Sequence, residues 1–415
     1  MSDIPFGFSL PGGGKGPDPN DPQFAAFLAQ LQQILSTSSG PVNWDLARQV
    51  ATGLAREGDR SLTATERTEV DEALRLADHW LDPITSLPSG VTSTAGWSRL
   101  EWIESTLPTW QRLCDPVAGK VVEAMGTLLP GTGEGLDPAQ LGPLAGLAGA
   151  GGLSGMLSGL GGMMFGGQVG QGLGTLSSEV LSSSDIGIPL GPNGVGALLP
   201  ANLATFTEGL ERPADEVRLY VALREAAHHR LFVHVPWLRA HVLAAVDAYA
   251  RGITVDREAF EDAMQRFDPT DPESMQEALG GGMFEQVDTP EQRVALARLE
   301  TALALVEGWV AHVVDTAAAG RLIGAGALAE TFRRRRAAGG PAEQTFATLV
   351  GLELRPRRLR EAATLWATLA EHRGADGRDA VWAHPDLIPS GDDLDDPKGF
   401  ALRETDVDMP GLEDL

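Results

Sequence analysis

The chain has 415 residues, and its 57 acidic side chains outnumber the 32 basic ones, leaving a net charge of −25 at pH 7. Such an acidic chain disfavours a general role in binding nucleic acid or anionic membranes. The single cysteine, Cys114, excludes an internal disulfide and a cysteine-based metal cluster, which favours a cytoplasmic location. Aromatic residues make up only 6% and β-branched runs are few, so we expect a mainly α fold, a large helical domain with little strand.

The first third of the chain predicts helices. Residues 1–20 are rich in proline and glycine and lack the features of a signal peptide, which is typical of a disordered arm. Residues 21–137 predict an N-terminal helical region, with helices in "DPQFAAFLAQLQQILS" and "NWDLARQVATGLAREG" and several short ones in "WSRLEWIESTLPTWQRLCDPVAGKVVEAM". Between them, Thr63 precedes Glu66 at the spacing of a capping box. An apolar stripe then follows at Val70, Ala73, Leu74, Ala77 and Trp80.

Residues 138–200 form a glycine-rich segment, in which no charged side chain occurs from Pro138 to Ser178. A membrane span would need about 20 consecutive apolar residues. Dense glycine, the interruptions at Gln168 and Gln171 and the lack of a flanking basic cluster disfavour such a span. We expect a glycine-rich loop, then a glycine-faced helix over "GGMMFGGQVGQGLGTLSSEVL" in the core, and finally a turn-rich connection.

Residues 201–375 have the strongest helical periodicity and carry the candidate chemistry. After Pro213, apolar residues recur at Val217, Tyr220, Val221, Leu231 and Phe232. The same three- and four-residue steps place Arg224 and His228 on the inward face, with Glu225 beside them. Because burying three such groups without partners costs on the order of several kcal/mol, a metal, an ion pair or water must satisfy them.

Glu225 and His228 match the second half of the zinc motif H-E-x-x-H. Arg224 stands where the first histidine belongs, and a guanidinium stays protonated and cannot bind zinc. By itself this partial motif is weak, and a core histidine with a paired glutamate is the simpler interpretation.

A second helix, "EQRVALARLETALALVEGWVAHVVDTA", provides context for the partial motif. Its inward stripe runs through Leu299, Leu303, Val306, Val310 and Val314. Glu307 lies on the same side, one turn from Leu303. An inward carboxylate suits a zinc site that uses glutamate as its third ligand, and it suits a buried arginine equally well.

Several segments resemble the actinobacterial zincin-like metallopeptidases, and together they extend over nearly the whole chain. They are "PFGF", "GPVNWDLARQVA", "LADHWLDPIT", "FGGQVGQGLGTLSSEVL", "LYVALREAAHHRLFVHVPWLRAHV", "LALVEGWVAHVV", "FRRRRAAGGPAEQTFATLVGLELRPRRLREAATLW" and "DAVWAHPDLIPS". The resemblance implies a mostly helical zincin-like fold, with residues 201–375 as its zincin-like helical region, and zinc-dependent hydrolysis of peptides. By position it implies Glu225 as the general base, His228 as a metal ligand and Glu307 as the third ligand.

Two hypotheses of function follow, because Arg224 leaves two protein ligands where catalytic zinc sites use three. One is a metal-dependent, zinc metallopeptidase-like hydrolase with an incomplete ligand set. The other is a non-catalytic zincin-fold interaction or scaffold protein without a cofactor, in which Arg224 pairs with Glu307 or Glu225 in place of the metal.

The other histidines are the candidates for the zinc ligand that Arg224 replaces. His229 points about 100° away from His228 around the helix and cannot take the missing position. His234 and His241 flank a Val-Pro turn and are expected to face solvent or cap a helix, although a fold-back could bring His241 near His228. We expect His312 to be exposed and His384 to hydrogen-bond the backbone.

Basic residues concentrate in "RRRR", from Arg333 to Arg336, and in "LRPRRLR". No binding motif accompanies them, so we expect solvated or ion-paired arginines. The segment "PRRLREAATLWATLAEH" predicts an amphipathic helix. Residues 376–415 form an acidic C-terminal tail, and its part "SGDDLDDPKGFALRETDVDMPGLEDL" is expected to be extended or disordered and to dock on the body.

Overall fold

The computed structural model describes residues 40–128, 152–252, 289–337 and 358–403. The predicted arm and the helix expected in "DPQFAAFLAQLQQILS" lie outside these ranges. The described helices are α1 (Trp44–Ala55), α2 (Ala64–Leu81), α3 (Arg99–Leu128), α4 (Gly152–Ser177), α5 (Pro200–Glu208), α6 (Ala214–His234), α7 (Pro236–Arg251), α8 (Pro290–Ala318), α9 (Ala325–Ala337), α10 (Leu359–Asp379) and α11 (Pro397–Leu402). The mainly α fold that the composition predicts is confirmed.

Two short strands join the two halves of the chain. Strand β1 (Ser93–Gly96) pairs in parallel with β2 (Val195–Leu198), with Ser93 opposite Val195 and Gly96 opposite Leu198. The pair lies next to α2 and α6, so it brings the backbone that precedes α5 against the helix that carries the partial motif.

Helix α2 begins as the sequence predicts. Thr63 accepts a hydrogen bond from the backbone of Glu66, and the Glu66 side chain accepts one from the backbone of Thr63, which completes the capping box. The predicted stripe is buried at Val70, Ala73, Leu74 and Ala77, and Trp80 is half-buried.

Helix α3 differs from the prediction, because it is one helix of 30 residues rather than several short ones. Pro108 and Pro116 lie inside it, and each removes a backbone donor. The helix continues past both prolines because its apolar face is buried in the core. The buried side chains of this face include Trp102, Ile103, Trp110, Leu113 and Val117.

The glycine-rich helix α4 packs closely against α1, which confirms the predicted glycine-faced helix. A Cβ atom at Gly170 would lie 2.6 Å from the carbonyl oxygen of Ala47, and one at Gly174 would lie 2.8 Å from Leu54. The backbones approach this closely because the facing positions have no side chain. Among the helices of the described ranges, none is long and apolar enough to cross a membrane.

Helices α6 and α8 form the centre of the molecule. Every residue of α6 from Tyr220 to Phe232 is buried, so this helix is enclosed on all sides. On α8, the predicted stripe is buried throughout, including Glu307. The N-terminal half of α8 belongs to a core with α1, α3, α4 and α7, and its C-terminal half belongs to a core with α2, α6 and α10.

Over residues 390–403, the last that the structure describes, the C-terminal region is folded, so the expectation of an extended or disordered tail is wrong there. Short 3₁₀ turns at Ala380–Ala383, Pro385–Leu387 and Asp392–Leu394 lead into α11. Phe400 and Leu394 are buried in the core, and Arg373 donates hydrogen bonds to the carbonyl groups of Phe400 and Ala401. The apolar residues between the acidic ones therefore dock this segment on α10.

Candidate functional site

The centre of the candidate site is a buried carboxylate, Glu307 on α8, which three side chains surround. Arg224 Nη2 donates to Glu307 Oε2 at 2.6 Å. His228 Nε2 lies 3.0 Å from Glu307 Oε1, and Arg336 Nη2 donates to the same oxygen at 2.8 Å. We call Arg224, His228, Glu307 and Arg336 the Glu307 cluster; each is at most 9% exposed.

Local helix geometry sets these contacts. Arg224 and His228 lie one turn apart on α6, and His228 Nδ1 donates to the carbonyl oxygen of Arg224 at 2.8 Å. That hydrogen bond turns Nε2 of His228 toward Glu307. The guanidinium carbon of Arg224 also lies 5.2 Å from the ring centre of Phe332, so an aromatic face covers the cation.

Arg336 is the member of the cluster that the sequence does not single out, because it stands within the run of arginines "RRRR". Helix periodicity contains the missing signal. On α9, Leu328 and Phe332 are buried, and the next position at the same four-residue step is Arg336. Its neighbours are ion-paired near the surface, Arg334 with Glu330 and Arg335 with Asp185.

The charges of the cluster support one another. Burial alone would raise the pKa of Glu307, but Arg336, Arg224 and His228 hold it well below its ordinary value. Burial likewise opposes the charge of Arg224, yet Glu307 raises the pKa of that guanidinium above its ordinary value. Glu307 is therefore an anion and Arg224 a cation.

Gly187 closes the cluster from the loop before β2. Its φ is +88°, a conformation that favours glycine. A Cβ atom at this position would lie 2.9 Å from Glu307 Oε1, so no other residue fits without displacing the carboxylate.

Glu225 belongs to a second buried group, which we call the Glu225 cluster and which comprises Ser183, Ser184, Ala197, Glu225 and His229. Glu225 Oε1 accepts hydrogen bonds from Ser183 Oγ at 2.5 Å, Ala197 N at 2.9 Å and His229 Nε2 at 3.2 Å. Its Oε2 accepts from Ser184 N at 3.0 Å and from the Ser184 hydroxyl. The side chain is fully buried.

The environment of Glu225 stabilises its charged form. Burial by itself would raise the pKa of Glu225, but the bonds from His229, Ala197 and Ser183 lower it to about 2. None of its hydrogen bonds involves the Glu307 cluster. The four residues that the sequence singles out thus divide into two groups, with Arg224, His228 and Glu307 together and Glu225 apart from them.

The Glu307 cluster does not fit a zinc ion. Zinc binds nitrogen and oxygen ligands at about 2.0–2.2 Å, and catalytic sites use three protein ligands. The cluster offers only two possible ligands, His228 and Glu307, and these are hydrogen-bonded to each other. The guanidinium groups of Arg224 and Arg336, which cannot bind a metal, occupy other positions around the Glu307 carboxylate. In the described ranges, no group of three or more His, Cys, Asp or Glu side chains is arranged to hold a metal ion.

The other histidines lie in separate environments. His229 binds Glu225, and the spacing of four residues on one helix could have indicated this pair. His234 is exposed and contacts the carbonyl of Ser89, and His241 packs edge-on against Trp237. His384 accepts a hydrogen bond from the backbone of Asp386, as predicted.

The expectation that His312 is exposed is wrong. His312 is half-buried, and burial together with the charge of Arg378 lowers its pKa to about 4. It lines a cleft together with Leu359, Ala363 and Thr364 of α10.

Comparison with known proteins gives the family. The profile described as "Zincin-like metallopeptidase" matches residues 42–401. A solved structure from Chloroflexus aurantiacus, described as "a putative hydrolase with a novel fold", has a similar fold with a TM-score of 0.58; it is 20% identical, and the match covers 87% of this chain and 98% of that one. No curated protein matches the chain. Because the profile covers most of its length, the chain belongs to the zincin-like metallopeptidase family.

Proposed function

We propose that this protein is a non-catalytic zincin-fold protein, whose helical body serves as an interaction or scaffold unit for a peptide or protein partner. One observation carries the proposal: both carboxylate oxygens of Glu307 are bonded to side chains of the chain itself. In this interpretation Arg224 and Arg336 supply the positive charge that a metal would supply in a catalytic relative, and the cluster has a structural role.

The state of Glu225 supports the same proposal. A general base must reach the proton that it abstracts, directly or through one water molecule. Glu225 is fully buried and accepts five hydrogen bonds, and a carboxylate with a pKa of about 2 is a weak base. The geometry therefore favours Glu225 as an anchor for the loop of Ser183 and for strand β2.

Metal analysis of the purified full-length protein tests the proposal. The protein is incubated with zinc, passed through a desalting column and measured by mass spectrometry for zinc per chain, and peptide hydrolysis is assayed in parallel. We expect well below one zinc per chain and no hydrolysis. Tightly bound zinc at one per chain, lost on substitution of His228 or Glu307, would overturn the proposal.

An arginine-to-histidine exchange sharpens this test. Arg224→His combined with Arg336→Leu removes both guanidinium groups and adds a third candidate ligand beside His228 and Glu307, so we expect zinc binding to appear. Arg218→His is the matched control, because Arg218 lies on the same helix but pairs with Glu69 at its partly exposed side. Zinc uptake equal in both proteins would mean that Arg224 does not block the site.

A further inference from the structure

A cleft beside the Glu307 cluster has the size of a ligand site. It lies between α8 and α10, has a volume of about 560 Å³ and opens to solvent. Volumes of about 300–1,000 Å³ are typical of small-molecule sites. Much of its described wall consists of alanines, among them Ala311 on α8 and Ala363 and Ala367 on α10, whose short side chains leave space between these helices.

One acidic and one basic side chain face each other at this cleft. Asp315 Oδ2 and Arg333 Nη1 are 3.7 Å apart, whereas charge-assisted hydrogen bonds close to about 2.7–2.9 Å. Both side chains are partly accessible, with 39% of Asp315 and 36% of Arg333 exposed. A ligand can therefore reach the unsatisfied side of each charge.

Each of the two charges also has another partner in the chain. The hydroxyl of Tyr220 donates to Asp315 Oδ1 at 3.1 Å, and Arg333 donates through Nε to Glu330 at 3.2 Å. Within the described part of the chain, no hydrogen bond joins Asp315 Oδ2 to Arg333. Binding a ligand here would cost little reorganisation, because both groups are already positioned.

Among the described lining residues, the remaining polar side chains add no charge at neutral pH. Burial and Arg378 lower the pKa of His312 to about 4, so its ring is neutral and acts only as a hydrogen-bonding group. Burial raises the pKa of Asp315, which means that a ligand cation beside this carboxylate would stabilise its charged form. The cleft thus offers one anion, one cation and an apolar wall.

We propose that this cleft binds a free α-amino acid with a large apolar side chain, with its ammonium group at Asp315, its carboxylate at Arg333 and its side chain along the alanine wall. The ammonium and carboxylate of such a ligand are attached to the same carbon, which matches the short separation of Asp315 and Arg333. A side chain as large as that of leucine uses space that glycine would leave empty. The inference goes beyond the proposed function and does not depend on it, because none of these contacts involves Glu307.

Calorimetric titration of the full-length protein with L-leucine, in buffer containing EDTA, tests the inference. We expect saturable binding of L-leucine. Glycine, N-acetyl-L-leucine and L-leucinamide, which lack the side chain, the ammonium charge and the carboxylate respectively, should each bind about tenfold more weakly or worse. No saturable binding of L-leucine, or equal binding of any of these three probes, would overturn the proposal.

Variants locate the site. Asp315→Asn keeps the hydrogen-bond acceptor for Tyr220 but loses the charge, and Arg333→Gln loses the guanidinium; we expect each to weaken L-leucine binding about tenfold or more. Arg334→Gln is the matched control, since Arg334 is 79% exposed and pairs with the same Glu330, and it should bind as the wild type does. Wild-type affinity in Asp315→Asn, with an unchanged thermal midpoint, would place the ligand elsewhere. EDTA separates this test from the zinc measurement, so either proposal can fail alone.

Discussion

Two glutamates that a zincin motif would assign to one catalytic centre have separate environments in this protein. Glu307 is balanced by guanidinium groups and a histidine, whereas Glu225 is held mainly by hydroxyl and backbone donors. Both side chains are buried anions, and a buried anion persists only where its partners outweigh the loss of water. At the scale of single residues, the partners of each carboxylate therefore determine what it can do.

Glu225 should make the stability of the protein depend on pH. Its folded-state pKa of about 2 lies below the ordinary value of 4.5, so its contribution is present above pH 4.5 and is lost as the pH falls toward 2. That contribution is about 3 kcal/mol by linkage. We expect the unfolding free energy, measured by urea denaturation from pH 7 downward, to fall less steeply in Glu225→Gln than in the wild type.

Glu361→Gln, on the exposed surface of α10, is the control for this measurement and should retain the wild-type pH dependence. Identical pH profiles for Glu225→Gln and the wild type would show that another group carries the acid sensitivity.

Sequence periodicity predicts part of the site, and the reason is local. Arg224, His228 and Glu307 each continue an apolar stripe of their own helix, so their spacing predicts that they face inward. The partners of Glu225 do not follow in this way. Ser183, Ser184 and Ala197 lie in a loop and a strand, and only the tertiary fold brings their donors to α6.

At the scale of elements, the contact between α1 and α4 depends on glycines at a four-residue spacing. Gly166, Gly170 and Gly174 all face α1, where an added Cβ would meet Asn43, Ala47 or Leu54. The spacing predicts that such a face exists on α4. The spacing does not indicate which helix packs against this face, because α1 is far away in sequence.

A pair of alanine substitutions in α4 tests this contact. Gly170→Ala should lower the unfolding free energy by about 1–3 kcal/mol, because its Cβ would collide with the backbone of α1. Gly167→Ala is the matched control: nothing lies within 4 Å of its added Cβ, and alanine stabilises a helix interior by about 0.5–1 kcal/mol over glycine. Thermal and urea denaturation measure both. If Gly170→Ala lowered the unfolding free energy less than Gly167→Ala, that result would contradict the close approach of the two helices.

At the scale of the whole molecule, composition predicts the helical class but not the two strands. Strands β1 and β2 have only four residues each, "STAG" and "VGAL", which is too short for an alternating pattern to be recognised. The folded C-terminal region is missed for a related reason. Its acidic residues suggest a solvated tail, while the few apolar ones, such as Leu394 and Phe400, anchor it in the core.

The net charge of −25 should make the protein more stable in salt. Like charges repel one another in the compact state, and salt screens them over about a Debye length. We expect the thermal midpoint to rise by about 2 °C or more between roughly 0.05 and 0.5 M sodium chloride.

Potassium chloride at equal ionic strength should give the same rise in the thermal midpoint, since screening does not depend on the cation. A fall would mean that exposed ion pairs such as Arg48 with Glu104 outweigh the general repulsion.

Helix α8 contributes side chains to both cores, and this shared role bears on how the molecule opens. Leu299 and Leu303 belong to one core, and Val310 and Val314 belong to the other. Local opening of either core exposes only half of the helix, so full exposure requires both cores to be lost together. Amide hydrogens in the middle of α8, around Glu307, should therefore be among the last to exchange with deuterated water, at a free energy close to that of global unfolding.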